Sequence, residues 1–333
     1  MSFYSRINGV GRYLPKNKVT NFDLEQIMDT SDEWIQKRTG IKARYWAADE
    51  ESTMNLGHHA SLMAIENSDI EKEEIDCIIC ASISWDAEFP GTGHFIQREL
   101  GIPYVPVFDV KQQCSGFVYS MVMADNFIKT GMYKNVLIVG AELQSKGLNK
   151  SDEGRDTAVL FGDGAGAIVL SATTDGEGSR FLATDLHSDG RFAEELWIPA
   201  PGSIGKERIS HEKLDHGLHY PRMNGKAVFI HAIKNMSQTI LTSLEKANLA
   251  IEDIDLFLFH QANLRINSKV SETLQIADDK CFNTIQEYGN TTAATIPLGL
   301  YDAIEAGKVK KGDKIAFAAF GSGFTWGSVI LQY

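Results

Sequence analysis

The sequence contains no long apolar run. None of its hydrophobic stretches approaches the roughly 18 consecutive apolar residues that a membrane-spanning helix needs. The first residues, MSFYSRINGVGRYLP, lack the apolar segment of a secretory signal. A hydrophobic content of 43% and a charged content of 23% are typical of a globular protein with a large core. We therefore expect a cytoplasmic protein with no membrane partner.

Cysteine is scarce, with four residues in 333, so the sequence offers no disulfide framework. Cys77 and Cys80 form a CxxC within IDCIICASI, a strand pattern in which an odd separation puts side chains on opposite faces. No second CxxC completes a zinc site. We expect these two, and Cys281, to be buried side chains, and we expect no metal. Cys114 differs because it stands at a predicted helix start.

Positive charge is also in deficit, since the formal net charge is −12. This balance argues against a general nucleic-acid or anionic-membrane surface, so we expect no nucleic-acid partner. An acidic partner remains compatible with the sequence, provided that basic side chains gather locally.

Two helix patterns recur at a fixed distance along the chain. Cys114 begins the apolar stretch CSGFVYSM, and Asn290, 176 residues later, begins NTTAATIPLGL. The glycines that are predicted to end these helices, Gly131 and Gly307, are also 176 residues apart. The sequence therefore indicates one ancestral unit used twice.

A strand pattern recurs as well, in EEIDCIICAS at 73–82 and EDIDLFLFHQ at 252–261, with Asp76 and Asp255 179 residues apart. The second copy ends on His260. By itself a histidine after an apolar strand is more often structural, and Asn290 alone is typical of a helix N-cap. The duplication changes both interpretations, because it brings a cysteine, a histidine and an asparagine to equivalent strand or helix ends.

The order of the remaining patterns predicts strands alternating with helices, and hence sheets covered by helices. We place the boundary between the halves at 175/176, giving 1–175 and 176–333. TAVLFGDGAGAIVLSA predicts a tight hairpin with close backbone packing, not a dinucleotide loop, because a strand and not a helix follows the glycines. The turn-rich segment 187–222 is predicted to be a functional loop or cap over a cleft.

Cys114, His260 and Asn290 together fit chemistry on thioesters. Free N–H groups at the helix start are expected to favour the thiolate of Cys114 and to lower its pKa. A neutral His260 and Asn290 are expected to donate hydrogen bonds to a carbonyl oxygen that is becoming an enolate. The backbone N–H groups of Cys114 and Ser322, in the loop Gly321-Ser322-Gly323, are expected to form an oxyanion hole.

These roles describe a reaction in two stages. The thiolate first takes an acyl group, and the second thioester then loses carbon dioxide to give a carbanion that attacks the acyl-cysteine. Neither stage needs a metal or a redox cofactor, so we expect none.

The motifs resemble those of the β-ketoacyl-acyl-carrier-protein synthase III family, in its order and spacing and over essentially the whole chain. They are TSDEWIQKRTGIKAR at 30–44, CSGFVYSM at 114–121, LFGDGAGA at 160–167, HQANLRI at 260–266, YGNTTAATIP at 288–297 and FGSGFTWG at 320–327. The resemblance implies a thiolase fold, with duplicated halves in a five-layered αβαβα sandwich, and a homodimer. It implies that Cys114 is the nucleophile and that His260 and Asn290 form the decarboxylation pair.

The resemblance also implies two substrates, an acyl-CoA and a malonyl-acyl-carrier protein, and a reaction that initiates fatty acid synthesis. Phe89 resembles the residue that crosses the dimer interface to the partner's acyl pocket. The residues implied for coenzyme A are Thr30, Trp34, Arg38, Arg155 and Asn263; for the acyl pocket Phe89, Leu160, Phe161 and Phe320; and for carrier-protein docking Arg265 and Lys269.

Departures from the commonest family pattern leave the acyl primer open. They are Gln113 and Ser115 beside the nucleophile, Ser322 in the glycine loop, Ile230 where a basic residue is frequent, and a longer loop at 196–222. A relative that serves secondary metabolism or uses a longer primer is one alternative. A head-to-head condensing enzyme is another, because Glu88 could serve as its glutamate base. A biosynthetic thiolase lacks support because 319–323 contains no second cysteine, and a non-catalytic partner subunit lacks support because the three residues are kept.

Overall fold

The computed structural model describes residues 3–176 and 178–333. The strands are β1 (Tyr4–Tyr13), β2 (Asn17–Thr20), β3 (Ala43–Trp46), β4 (Cys77–Ala81), β5 (Val107–Val110), β6 (Asn135–Glu142), β7 (Gly164–Thr173), β8 (Arg180–Ser188), β9 (Leu196–Trp197), β10 (Arg222–Met223), β11 (Leu256–Phe259), β12 (Lys314–Gly321) and β13 (Thr325–Gln332). The α-helices are α1 (Asn21–Leu24), α2 (Asp32–Thr39), α3 (Thr53–Glu66), α4 (Thr92–Leu100), α5 (Gly116–Lys129), α6 (Arg155–Ala158), α7 (His211–Asp215), α8 (Gly225–Ala247), α9 (Leu264–Leu274), α10 (Ile285–Tyr288) and α11 (Thr295–Glu305).

Two large sheets share one strand order. The first runs β1-β7-β6-β4-β5 and the second runs β8-β13-β12-β11. In both sheets the first two pairings are antiparallel and the next one, β6 with β4 or β12 with β11, is parallel. An isolated parallel bridge from Phe257 to Cys281 stands where β5 pairs with β4 in the first sheet. The remaining strands form the small pairs β2–β3 and β9–β10.

Helices separate and cover the sheets to give five layers. α3 and α4 pack on the outer face of the first sheet, and α8 and α9 lie over the second. α5 and α11 lie between the sheets, where a continuous apolar cluster includes Phe117, Leu300 and Phe317. A helix that is buried from both sides must be apolar over most of its surface, as the sequences of α5 and α11 are. The predicted five-layered αβαβα sandwich is confirmed.

The duplicated signals in the sequence correspond to duplicated contacts. The Asp76 carboxylate accepts hydrogen bonds from the backbone N–H groups of Lys134 and Asn135, where β6 begins. The Asp255 carboxylate accepts one from Lys314 N at 2.8 Å, where β12 begins. Each aspartate therefore fastens its strand to the neighbouring parallel strand in the same way. The boundary at 175/176 stays a prediction, and residue 177, next to it, lies outside the described residues.

The helix stops are also equivalent. Gly131 and Gly307 follow the ends of α5 and α11 with φ of 76° and 66°. This left-handed conformation ends a helix at little cost only where the residue has no Cβ. The predicted ends of both helices are confirmed.

Cys77 and Cys80 lie as predicted, whereas Cys281, also expected to be buried, is only partly buried. Cys77 belongs to the apolar cluster between the sheets, whereas Cys80 belongs to the cluster under α3 and α4. Both are fully buried, and burial raises the pKa of Cys77 to about 12. Both are free thiols, so this CxxC is a pair of core side chains on opposite faces of β4.

The predicted hairpin at 157–172 is wrong. Residues 155–158 are helical, and β7 pairs with β1 and β6. The segment before β7 pairs instead with the other half of the chain: Asn290 N donates to Leu160 O at 2.8 Å, and Gly162 N donates to Asn290 O at 3.1 Å. Close backbone packing is confirmed at Gly162, where a Cβ would lie 2.3 Å from the carbonyl oxygen of Tyr288.

The segment 187–222 holds short elements, including α7 and the β9–β10 pair. Two contacts tie it to the rest of the chain: Arg208 pairs with Glu88, and Ser322 Oγ, in the turn Gly321-Ser322-Gly323, donates to Leu196 O. Its role as a functional cap stays a prediction. In the part of the chain that the structure describes, no helix combines the length and apolar character required to cross a membrane.

Candidate active site

Cys114 lies after β5, in a short 3-10 turn (Gln113–Ser115) that leads directly into α5. Gln113 takes a φ of 46°, a conformation uncommon for a residue with a side chain and often found at functional sites. The turn is fastened to β13, because Ser115 Oγ lies 2.6 Å from Thr325 Oγ1. Cys114 is 7% exposed. The fold therefore presents this sulfur at the start of the central helix, as predicted.

The predicted lowering of the Cys114 pKa is wrong. Burial and the nearby carboxyl of Glu142 raise the pKa of the thiol to about 12, and only its own backbone N–H acts in the opposite direction. The sequence indicated the favourable helix start, but the burial of the thiol and its closeness to Glu142 are properties of the folded chain. The resting nucleophile is therefore a thiol, and its proton has to leave when the sulfur attacks.

His260 follows β11, and its backbone N–H continues the parallel ladder to Ala318 O at 2.8 Å. Its Nδ1 lies 2.7 Å from Thr295 Oγ1, at the start of α11. Burial lowers the pKa of His260 to about 3, so the imidazole is neutral at physiological pH. Of the described residues, none forms a hydrogen bond with its Nε2, which is left for a substrate.

Asn290 is held by its backbone in the pairing with residues 160–162 and by its side chain in a turn. Its Oδ1 accepts a hydrogen bond from Thr292 N at 2.8 Å. This bond orients the amide, and Nδ2 has no hydrogen-bond partner within residues 3–176 and 178–333. The alternative role as a helix N-cap does not apply, because Ala294 precedes α11. Asn290 is thus a fixed donor with a free N–H.

The three residues converge on one loop. A Cβ built on Gly116 would lie 3.8 Å from the Cβ of Ala293, so the turn that carries Cys114 packs against the loop that follows Asn290. His260 reaches the same loop through Thr295. The turn of Cys114, His260 and the loop after Asn290 are therefore neighbours, and the catalytic roles expected of the three residues stay predictions.

The glycine-rich turn after β12 touches the nucleophile. A Cβ on Gly321 would lie 2.9 Å from Cys114 N and 3.1 Å from Cys114 Cβ. Ser322 directs its hydroxyl to Leu196 O, and its carbonyl accepts from Thr325 Oγ1 at 3.1 Å. The oxyanion hole formed by Cys114 and Ser322 N–H groups stays a prediction, and the contact with Gly321 puts the required loop beside the sulfur.

Four of the five residues expected to hold coenzyme A contact one another, namely Trp34, Arg38, Arg155 and Asn263. The guanidinium carbons of Arg38 and Arg155 lie 4.4 and 4.7 Å from the centre of the Trp34 ring. Thr30 Oγ1 is buried and has no hydrogen bond among the described residues. Asn263 caps α9 through Oδ1 and donates Nδ2 to Arg38 O at 3.0 Å. The set is assembled, although both polar groups of Asn263 are already used within the protein.

The predicted acyl-pocket residues lie in different surroundings. Phe89 is 81% exposed, whereas Phe320 is buried under α8 and α9 and contacts Phe324. Leu160 and Phe161 pack in a separate apolar cluster with Ile35 and Ile285. A single chain therefore does not gather all four side chains around one cavity, and the pocket stays a prediction.

Arg265 and Lys269 lie on the exposed side of α9, as the i,i+4 spacing predicted. They line a groove of about 350 Å³ that Phe229 and Gln36 also line. The Arg265 guanidinium stands 5.5 Å from the Phe229 ring centre, whereas Lys269 Nζ binds both Glu272 carboxylate oxygens at 2.9 Å. Arg265 therefore offers a positive charge to a partner, and the charge of Lys269 is largely neutralised.

Comparisons with known proteins identify the family of this chain. The family models for 3-oxoacyl-[acyl-carrier-protein (ACP)] synthase III match residues 108–190, and those for its C-terminal part match residues 244–333. A β-ketoacyl-[acyl-carrier-protein] synthase III of Clostridioides difficile is 44% identical over 333 residues, which is 100% of this chain and 99% of the relative. The same enzyme of Aliarcobacter butzleri is 45% identical over 99% of this chain and 98% of its own. This chain belongs to the β-ketoacyl-acyl-carrier-protein synthase III family.

Solved structures agree with the family assignment. The crystal structure of the Aquifex aeolicus synthase III covers 99% of this chain and 100% of its own, with a TM-score of 0.90 and 42% identity. The fold and the condensing acyltransferase class predicted from the sequence are confirmed.

Sequence reasoning missed four residues behind the synthase III site. Glu142 is fully buried at the end of β6, and its carboxyl accepts hydrogen bonds from Ser84 Oγ and Gln144 Nε2. Gln144 donates to Thr292 Oγ1 as well, and Thr292 takes a φ of 50°, an outlier for a β-branched residue. Thr295 binds His260. The acid at the end of an apolar strand is the only one of these features that the sequence displays.

Proposed function

We propose that this chain catalyses the decarboxylative Claisen condensation of an acyl-CoA primer with a malonyl-acyl-carrier protein, which gives a 3-oxoacyl-carrier protein and starts fatty acid synthesis. The observation that carries the proposal is the convergence of Cys114, His260 and Asn290 on one loop in a member of this family. A nucleophile with two oriented donors is what acyl transfer and enolate formation require.

In the first stage the Cys114 sulfur attacks the carbonyl carbon of the acyl-CoA. The thiol proton leaves as the new carbon–sulfur bond forms, because the raised pKa keeps the resting group protonated. The bond to the coenzyme A sulfur then breaks, and that sulfur takes up one proton and departs as a thiol, which balances the proton lost by Cys114. N–H groups of Cys114 and of the glycine-rich turn stabilise the negative oxygen in between.

In the second stage the bond between the malonyl carboxylate and its neighbouring carbon breaks, and carbon dioxide leaves. The electron pair of the broken bond stays on the thioester, which becomes an enolate. Its oxygen accepts hydrogen bonds from His260 Nε2 and Asn290 Nδ2. The enolate carbon attacks the acyl-cysteine, the carbon–sulfur bond breaks, and the sulfur of Cys114 regains a proton from solvent. No redox cofactor or metal enters, because the electrons come from the bond to the departing carboxylate.

The cluster of Trp34, Arg38 and Arg155 suits coenzyme A. An aromatic face stacks with adenine, and guanidinium groups pair with phosphates. The groove beside Arg265 opens next to this cluster, because it is also lined by Gln36 and Gly40, at the end of α2. This groove suits an acidic carrier protein that delivers its substrate through the same entrance.

We infer that the enzyme works as a homodimer in the cytoplasm. β5 is the edge of its sheet, and its outer side has no strand partner among the described residues. Edge strands are usually paired or protected. Tyr104 precedes this strand by three residues, Gly91, two residues after Phe89, packs against Asp109 of the strand, and both aromatic side chains are exposed. A second copy paired through β5 would cover both, and would let Phe89 reach the partner's acyl pocket.

The alternative of a head-to-head condensing enzyme gains no support at Glu88. Its carboxylate is ion-paired with Arg208 from the 187–222 segment, so it is not a free base. A longer primer, or a role in secondary metabolism, is tested by the choice of acyl-CoA.

The proposal is tested by separating the two stages. Intact-protein mass spectrometry with acetyl- to octanoyl-CoA is expected to show an acyl adduct on the wild type and none on Cys114→Ala. Carbon dioxide release from malonyl-carrier protein is expected to be lost in His260→Ala and Asn290→Ala, which still form the adduct. An adduct on Cys114→Ala, or carbon–carbon bond formation without carbon dioxide release, would overturn the proposal.

A further inference from the structure

Thr295 stands between His260 and the loop that follows Asn290. Its hydroxyl oxygen lies 2.7 Å from His260 Nδ1 and 3.0 Å from the carbonyl oxygen of Thr292. Thr295 and His260 are 2% and 3% exposed, so water does not replace these partners easily. The acceptor to which the Thr295 hydroxyl donates its proton therefore determines which ring nitrogen of His260 carries the histidine proton.

Two proton arrangements are compatible with these distances. If Thr295 donates to Thr292 O, Nδ1 must carry the histidine proton, and Nε2 is then only an acceptor. If Thr295 donates to Nδ1, the histidine proton is on Nε2, which becomes a donor. A neutral imidazole has one N–H, so the partner of Nδ1 determines the role of Nε2.

In the second arrangement the hydroxyl bond to Thr292 O is given up, and this leaves no group without a partner. Thr292 O already accepts a hydrogen bond from the backbone N–H of Thr295, as the capping contact of its 3-10 turn. A hydroxyl bond to a carbonyl three residues earlier is a common local interaction that can be given up cheaply. Nδ1 has Thr295 as its only partner among the described residues, and that distance is the shorter of the two.

We propose that Thr295 is a positioning residue that donates its hydroxyl proton to His260 Nδ1 and so keeps the histidine proton on Nε2, where it stabilises the enolate. This inference rests on the proposed function, because enolate stabilisation is the step that needs a donor at Nε2. It assigns a second task to the loop 292–295, which also orients Asn290 through the Thr292 N–H. The two donors of the site are thereby fixed by one segment.

The direct test is the 15N spectrum of the histidine side chains, since protonated and unprotonated ring nitrogens have well-separated shifts. The chain has nine histidines, and the signals of His260 are identified as those missing from His260→Gln. The wild type is expected to carry the proton on Nε2. A proton on Nδ1 in the wild type overturns the proposal, whatever the activity of the enzyme.

The second test uses Thr295→Val, which keeps the shape and removes the hydroxyl. Carbon dioxide release is expected to fall by at least about tenfold, because the wrong tautomer of a catalytic histidine is costly. Acylation of Cys114 is expected to be unchanged, and Thr295→Ser should restore carbon dioxide release. Equal loss of both stages, or an unchanged rate of carbon dioxide release, would contradict the assignment.

Thr291→Val is the matched control. Thr291 is a neighbouring buried threonine whose hydroxyl has no hydrogen bond within the described ranges. Its replacement is expected to leave both stages and the His260 spectrum unchanged. If Thr295→Val does not fold, the wild-type spectrum still decides the question, and failure of the proposed function would appear separately as a wild type that releases no carbon dioxide.

Discussion

The carboxyl of Glu142 accepts a hydrogen bond from Gln144 Nε2 at 3.0 Å. The same nitrogen donates to Thr292 Oγ1 at 3.0 Å, so a buried acid supports the loop that orients Asn290. Burial raises the pKa of Glu142 to about 8, against several hydrogen bonds that lower it. The support of this loop therefore depends on a group that titrates near neutral pH.

Glu142 is expected to make the stability of the wild type fall as the pH rises. In the unfolded chain its carboxyl ionises near pH 4.3, so between that value and about 8 the folded state holds more protons than the unfolded one. Relative to Glu142→Gln, the wild type should lose up to about 1.4 kcal/mol of unfolding free energy per pH unit in this window. Urea denaturation from pH 5 to pH 8 measures the difference, and a difference independent of pH would mean that Glu142 is ionised throughout.

Gly321→Ala is expected to damage the first stage. Its Cβ would lie 2.9 Å from Cys114 N, closer than real Cβ contacts, so the backbone beside the sulfur has to shift. Misplacing one oxyanion donor should slow acylation on the order of 10²-fold. Single-turnover acylation by acyl-CoA measures this rate. Gly147→Ala is the control, because nothing lies within 4 Å of a Cβ at that position, and an equal effect there would remove the geometric explanation.

Trp34→Ala is expected to weaken the use of acyl-CoA selectively. Loss of a stacking surface between Arg38 and Arg155 should raise the KM for acyl-CoA about tenfold or more, since a stacked base is worth roughly 1–3 kcal/mol. The KM for malonyl-carrier protein should change little. Steady-state kinetics with each substrate varied in turn distinguishes these effects, and parallel increases would indicate that Trp34 supports the fold of α2.

Arg265 and Lys269 are expected to differ, although both are basic and lie on one helix face. Arg265→Gln should raise the KM for malonyl-carrier protein and weaken its dependence on salt, because exposed charges act mainly on encounter and are screened. Lys269→Gln should have a smaller effect, since its ammonium is bound to Glu272. Kinetics at low and high ionic strength, with acylation by acyl-CoA as the internal control, compare the two. Equal effects would show that the pair with Glu272 opens on docking.

Much of the fold and of the catalytic set could be predicted from the sequence because these signals are local. The helix start near Cys114, the glycine stops at Gly131 and Gly307, and the strand before His260 are short patterns, and their repetition along the chain indicated the doubled fold. The helix predicted to begin at Asn290 begins five residues later, at Thr295. Motif order then pointed to the family. Each signal is carried by neighbouring residues, so no knowledge of distant contacts was required.

Only the tertiary structure decided the electrostatics and the fine orientation of the site. The partners that matter are far apart in sequence: Thr295 lies 35 residues from His260, and Gln144 lies 148 from Thr292. Burial of Cys114 itself, with the nearby carboxyl of Glu142, reverses the predicted direction of the Cys114 pKa, and pairing with residue 290 replaces the hairpin predicted at 157–172. A sequence specifies which groups are present, but their charge states depend on which groups folding buries together, and that is a property of the assembled layers.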